Sequence, residues 1–318
     1  MSPRTRVRLI VAVIALAAAA IAVASGLILD GGEASAGEAP PLELGLLPSD
    51  DPQTRALVTA ERAYEQGRAP EARRRFEDVL GSDPSSVEAA VGAAVAAWPN
   101  GTVARLRELA EDHPASAVVR LHLGLALYAE GEREEAEAEW RQAEEREPDS
   151  PAALRAEALL HPDMAPGRPF FFPSESPEPP LAEDLTVAEE LAELERRAQS
   201  GEVPDLLAYG VALQRVGRPV SARDVFDRAL AAEPESLEAQ VAAAVARFDK
   251  DAPEEAFSRL GPLTRDHPRA GVVRFHLGLL LLWIRAVDEA RRQLELAAEG
   301  KGFYAREARQ LLAKIAEI

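Results

Sequence analysis

The sequence has no cysteine, which excludes disulfides, thiolate nucleophiles and cysteine-based zinc sites. Aromatic residues make up only 5%, a level that suits helical packing built on Ala and Leu better than a sandwich or barrel. Histidine is scarce, five in 318 residues, and these five are the only side chains whose ordinary pKa lies near neutrality. Positive charge is also in short supply: 36 Lys and Arg stand against 54 Asp and Glu, for a net charge of -18. A body this acidic repels phosphate backbones, which argues against nucleic acid as a ligand. The sequence carries no phosphate loop, nucleophile elbow or paired-carboxylate signature, so neither an enzyme nor a cofactor is expected.

Apolar residues at 47% and charged residues at 28% fit a folded soluble body. One segment stands apart from it. Leu9 to Leu29 has no charge over 21 residues, about the length that spans a bilayer. Arg4, Arg6 and Arg8 precede it, and Asp30, Glu33 and Glu38 follow. The positive-inside rule then makes residues 1–8 a short basic cytoplasmic tail and 9–29 a single-pass transmembrane anchor, with the rest extracytoplasmic. The alternative is a cleaved signal peptide, because Ala22-Val23-Ala24 and Ala34-Ser35-Ala36 resemble cleavage sites, and the body would then be secreted. The apolar run exceeds the roughly 7–15 residues of a signal core, which favours the anchor. Residues 30–51 are rich in Gly, Pro, Ala and Glu without a sustained period. They read as a flexible tether, with folded structure expected from Pro52.

The body is repetitive. Tyr209-Gly210, Leu213, Gly217, Ala222, Phe226, Ala229 and Pro234 have a spacing that resembles the tetratricopeptide repeat, a helix-turn-helix unit of about 34 residues. Leu206, Tyr209, Gly210 and Leu213 share one helical face, Gly217 with Pro219 marks the turn, and Pro234 ends the unit. The pattern recurs at Ala60, Gly67, Ala72, Phe76 and Pro84, and again at Leu123-Gly124, Gly131, Ala136, Trp140 and Pro148. Gly67 and Gly217, like Phe76 and Phe226, are 150 residues apart, and VVRLHLGLAL at 118–127 returns as VVRFHLGLLL at 272–281. A three-repeat block has been duplicated. The expectation is an all-α chain: block one over 52–160 with a capping helix at Pro151 to Leu160, a Pro-rich linker over 161–184, a linking helix over 185–202, and block two over 203–318. Phe303 to Ile318 forms the final cap of block two, with Leu311, Leu312 and Ile315 facing inward.

The resemblance implies that first helices line a concave surface that binds a protein or peptide partner. The matching positions in block one are Leu57, Glu61 and Tyr64, then Val91, Val95 and Trp98, then Leu121, Leu125 and Tyr128. In block two they are Leu207, Val211 and Gln214, then Val241, Val245 and Phe248, then Phe275, Leu279 and Leu282. Most are apolar, and the Lys, Arg and Asn with which some family members clamp a peptide carboxylate are absent. These side chains either form a ligand groove or simply pack inside a tightly wound solenoid. The reading of function is a membrane-tethered scaffold, with a self-associating envelope protein as the alternative. A metal-dependent enzyme using His113 with His122 and His267 with His276 is a remote third. Phe170, Phe171 and Phe172, held extended between Pro169 and Pro173, are expected to dock on a concave stripe, foremost Val241, Val245, Phe248 and Phe275.

Overall fold

The computed structural model describes residues 38–47, 49–175, 180–182 and 185–316. The apolar segment 9–29 lies outside them, and no helix among the described residues is long and apolar enough to cross a membrane. These residues form fifteen α-helices and no strand. In chain order they are α1 (Pro52–Glu65), α2 (Ala69–Ser82), α3 (Val87–Val95), α4 (Thr102–Asp112), α5 (Ala117–Glu130), α6 (Arg133–Arg146), α7 (Pro151–Leu160) and α8 (Val187–Ala198). The remainder are α9 (Val203–Arg215), α10 (Pro219–Ala232), α11 (Leu237–Val245), α12 (Glu254–Asp266), α13 (Gly271–Trp283), α14 (Val287–Ala298) and α15 (Phe303–Ala316).

Local chemistry sets the boundaries. Asp51 caps α1 by accepting from the Thr54 amide at 2.7 Å, with Pro52 at the first position, where its missing N–H costs nothing. Thr186 and Glu189 form the expected reciprocal capping box on α8. Hairpin turns fall at Gly67, Gly131 and Gly217, with φ of 74°, 93° and 75°. The last repeat makes the same turn with Arg285 at φ 57°, which an L side chain adopts only at a cost. The Arg285 guanidinium donates to the Pro162 carbonyl at 3.0 Å, so that turn is anchored from outside the hairpin.

Packing explains the repeat signature. Phe226 lies across Gly210, and Trp140 across Gly124; a Cβ added at either glycine would sit closer than 3.0 Å to the ring. Phe76 packs in the same way on Gly92, and Leu294 on Gly278. Gly210→Ala is therefore expected to cost about 1–3 kcal/mol by overpacking. Gly81→Ala, in α2 with nothing within 4 Å of its Cβ, should be neutral or stabilise by up to about 1 kcal/mol through helix propensity. Urea unfolding of the two variants checks the contrast; equal shifts would contradict this packing.

The buried side chains form two apolar clusters, one running from Leu42 to Ala156 and the other from Ala165 to Ile315. Leu311 and Ile315 of α15 are buried, and Leu312 packs partly buried against the second cluster. Helix α7 packs on α6 and α5, and its N-terminal end also meets the next hairpin. Pro151 at its start touches Gly217 of the next hairpin, and Asp149 just before it accepts from the Val220 and Ser221 amides at 2.9 and 3.1 Å. An acidic residue from block one thus caps α10 of block two, where free N–H groups and the helix dipole favour it.

The expectation of a flexible tether up to Asp51 requires a correction. Within that stretch Pro40 is buried, and Leu42 and Leu44 are buried in the first cluster. Leu42, Leu44 and Leu46 alternate with polar or small residues, a period-2 pattern that places one set of side chains against the helices.

Candidate functional site

Each block holds an extended segment of its own chain against its first helices, and the two segments are bound in one register. In block one, residues 40–46 form the first strap. The Glu43 amide donates to His122 Nε2 at 3.0 Å, the Leu44 amide to Glu61 Oε1 at 2.8 Å, and the Tyr64 hydroxyl to the Pro40 carbonyl at 2.7 Å. Arg155 Nε of α7 reaches Glu43 Oε1 at 3.0 Å. In block two, residues 169–174 form the second strap. The Phe172 amide donates to His276 Nε2 at 3.0 Å, the Phe171 amide to Gln214 Oε1 at 3.1 Å, and the Ser174 amide to Glu238 Oε1 at 3.1 Å.

Aligning Glu43 with Phe172 places Pro40 on Pro169 and Leu42 on Phe171, and all four of these flanking residues are buried. The straps are 129 residues apart, whereas the first repeats are 150 apart, and α8 occupies the extra length. A strap thus precedes the helices of each apolar cluster.

The two histidines organise this arrangement. His122 and His276 are fully buried, and their Nδ1 atoms lie 2.7 Å from the Val118 and Val272 carbonyls, one helical turn back. A carbonyl can only accept, so Nδ1 carries the proton. A backbone amide can only donate, so Nε2 is the acceptor. One neutral tautomer satisfies both contacts, and burial holds each ring's pKa down, at about 4. Because both nitrogens of each ring are engaged with backbone, neither ring offers a lone pair to a metal while its strap is docked. Among the described residues no group of three or more His, Cys, Asp or Glu could hold a metal ion.

Most of the expected concave residues lie in the same apolar clusters as the buried strap residues, and Glu61, Tyr64, Gln214 and Phe275 meet the straps directly. Val91, Val95, Leu121 and Leu125 are buried in block one, with Tyr64, Trp98 and Tyr128 half-buried. Leu207, Val241, Val245, Phe248, Phe275, Leu279 and Leu282 are buried in block two, and Val211 is partly so. They do not present an open groove. The Phe triplet docks on block two, but of the expected stripe only Phe275 is shown in ring contact: Phe172 meets it at 6.1 Å, while Phe171 is fully buried, stacks on His276 at 5.0 Å and meets Phe226 edge-on at 5.7 Å, both outside that stripe. Phe170 stays half-buried. Sequence reasoning missed Pro40, Leu42, Glu43 and Leu44, whose signal was the alternation of Leu42, Leu44 and Leu46.

The straps are held to different extents. The second is tied on both flanks: the Ala165 amide donates to the Trp283 carbonyl at 2.9 Å, Trp283 Nε1 to the Gly167 carbonyl at 3.0 Å, and the Tyr304 hydroxyl to the Phe172 carbonyl at 2.8 Å. Arg168 bridges Glu157 of α7, at 3.0 Å, to Asp249, at 3.3 Å. Beside that bridge is a cavity of about 360 Å³ lined by Glu144, Glu157, Arg168 and Asp251. Burial, reinforced by the nearby Glu157 and Asp251 carboxylates, pushes Glu144 up to about 7.

Among the described residues, the hydrogen bonds that hold the first strap are the four given above. Burying Pro40, Leu42 and Leu44 contributes about 1.5–3 kcal/mol each, and four hydrogen bonds about 0.5–1.5 kcal/mol each. Ordering seven residues costs about 1–2 kcal/mol apiece. The two sides agree within a few kcal/mol, so the first strap is marginally docked.

Comparison with known proteins supports the repeat reading. A family model described as tetratricopeptide repeat matches residues 57–117 and 207–261. No curated protein sequence matches the chain. Solved structures that are similar include a tetratricopeptide repeat protein from Parabacteroides merdae, at 11% identity over 83% of this chain and 98% of that one, TM-score 0.33. Yeast Tom70 is 15% identical over 89% of this chain and 53% of its own, TM-score 0.34. The human IFIT1 dimer with PPP-AAAA is 16% identical over 82% of this chain and 63% of its own, TM-score 0.33. Likenesses this distant say nothing of this chain's ligand, and the expectation against nucleic acid rests on its charge alone.

Proposed function

We propose that this chain, with tetratricopeptide repeats at 57–117 and 207–261, is a protein-interaction scaffold whose first groove exchanges its own strap for an extended segment of a partner. The observation that carries this reading is the pair of buried histidine acceptors, each holding a backbone amide of an extended segment. Backbone hydrogen bonds supply affinity in such a groove, and alternate side chains supply selectivity. Among the described residues only Leu47 and Leu296 are large apolar side chains left exposed. A partner that uses apolar contacts therefore has to enter a groove by displacing its occupant.

The marginal first strap is the one to yield. Replacing Leu42 and Leu44 with Ser should empty the first groove and increase partner capture severalfold over wild type when the chain is purified from its native membrane. Unchanged capture would contradict the exchange.

The same reading keeps the body extracytoplasmic and tethered by residues 9–29. Its support is the 21 uncharged residues that follow Arg4, Arg6 and Arg8. Full-length chain in the membrane fraction, with the repeats open to protease only from the outer face, is the expected result. A soluble body with a new N-terminus near Gly26 or Gly37 would show a removed signal instead.

A further inference from the structure

We infer that the first groove selects a partner segment of the form Pro, any residue, Leu or Phe, then an acidic residue that keeps its amide hydrogen, bound extended. The inference rests on the exchange reading above and specifies its ligand. Two occupants of different sequence, APPLELG at 39–45 and RPFFFPS at 168–174, satisfy duplicated grooves in one register, and what they share is what the grooves require.

Each shared feature has a physical role. The first-position proline is buried in both straps, and its ring fixes φ near the extended value, so less entropy is lost on docking. The third-position side chain is the anchor: Leu42 is 4% exposed and Phe171 0%. The fourth-position amide meets the histidine Nε2 at 3.0 Å in both grooves, and a buried acceptor left without a donor is costly. A proline at the fourth position is therefore excluded.

The grooves differ at the fourth side chain. In the first groove it is Glu43 against Arg155 Nε at 3.0 Å; in the second it is Phe172 beside Phe275 at 6.1 Å. The first groove therefore prefers an acidic partner residue and the second an aromatic one. Beyond the fourth position Leu44 is still buried, with its amide on Glu61. A cavity of about 610 Å³ lined by Leu44, Gly45, Glu88, His113 and Pro151 follows its strap. At the corresponding place in block two, Ser174 binds Glu238 and the Tyr304 hydroxyl also lies 2.7 Å from Glu238. A partner segment longer than the strap has room to continue there.

The test uses the full chain carrying Leu42→Ser and Leu44→Ser, its helix content checked by circular dichroism, and a fluorescein-labelled peptide of residues 38–47 followed by anisotropy. The variant should bind this peptide at least tenfold more tightly than wild type, whose own strap competes. A peptide with Leu42→Ser should not bind. Methylating the peptide nitrogen at the Glu43 position should weaken binding about tenfold, the loss expected for one buried hydrogen bond, and a Glu43→Lys peptide should also bind more weakly. If all these peptides bind alike, the selectivity is overturned while groove exchange stands. If none binds the folded variant, groove exchange itself fails. A concentration-dependent dimer of the variant that excludes the peptide would assign the groove to a second copy and overturn the proposal.

Should the double variant not fold, wild-type chain is challenged with the same peptide carrying a benzophenone at the Leu42 position. Crosslinks to α1 and α5, whose Tyr64, Glu61 and His122 hold the strap on either side of Leu42, are expected, and crosslinks only elsewhere would overturn the assignment.

Discussion

Phe171→Ala is expected to lower the stability of the chain by about 3–5 kcal/mol, the range for removing a fully buried Phe, with a corresponding fall in the urea midpoint. The size follows from position. Phe171 sits between His276 and Phe226, and Phe226 is the ring that covers Gly210 in the hairpin beneath. Truncation therefore opens a cavity shared by the strap and the repeat core, and the flanking ties through Ala165, Gly167 and Arg168 prevent the strap from leaving to relieve it. Phe170, half-buried, should cost less than about 1.5 kcal/mol on truncation. Leu42→Ala in the first strap should also cost little in global stability. That strap can detach, and a substitution cannot cost more than the docking free energy it abolishes. Equal midpoints for the Phe170 and Phe171 variants would show that the register of the second strap is wrong.

Acidification should destabilise the chain through His122 and His276. Burial lowers both from an ordinary 6.5 to about 4 in the folded state, so the unfolded chain takes up these protons first. Their contribution to stability is fully present above pH 6.5 and is lost as pH falls towards about 4, with no further loss below. The limit is about 3 kcal/mol per ring. Glu144 and Glu61 act in the opposite direction, because burial raises both, and their contribution grows as pH falls. The comparison that isolates the histidines is therefore wild type against a His122→Gln, His276→Gln double variant. The wild-type urea midpoint should fall more between pH 7 and pH 5 than the variant's. Identical pH profiles would mean that the rings are not buried neutral acceptors. A protonated Nε2 would turn a donor towards the Glu43 and Phe172 amides, so strap release accompanies this loss and the first strap goes first.

The helices were legible in the sequence because their determinants are local and periodic. Gly67, Gly131 and Gly217 mark turns that require positive φ, and the aromatics at 76, 140 and 226 mark where one helix lies on a glycine or its neighbour. The docking of Phe171 was also legible, since three consecutive Phe between prolines have no stable place in water. The first strap was not, because an extended segment of seven residues has no helical period and its composition matches that of a linker. Leu42 and Leu44 become core residues only once His122, 79 residues away, supplies the acceptor that fixes their register. Likewise, nothing local announces that Asp149 caps α10, or that Glu61 and Gln214, polar members of an apolar stripe, hold strap amides. The role of the histidines needed both neighbours of each ring to be known, the carbonyl one turn back and the amide of the strap.

Native-state hydrogen exchange at the Glu43 and Phe172 amides, read residue by residue at neutral pH, tests the central claim most directly. The amide of Phe172 should exchange only with near-global unfolding. That of Glu43 should be protected relative to a free peptide but open at a distinctly lower free energy, and the peptide that fills the first groove in trans should release it further. Exchange of either amide at the free-peptide rate would show that no histidine holds it, and the account of the two straps would fall.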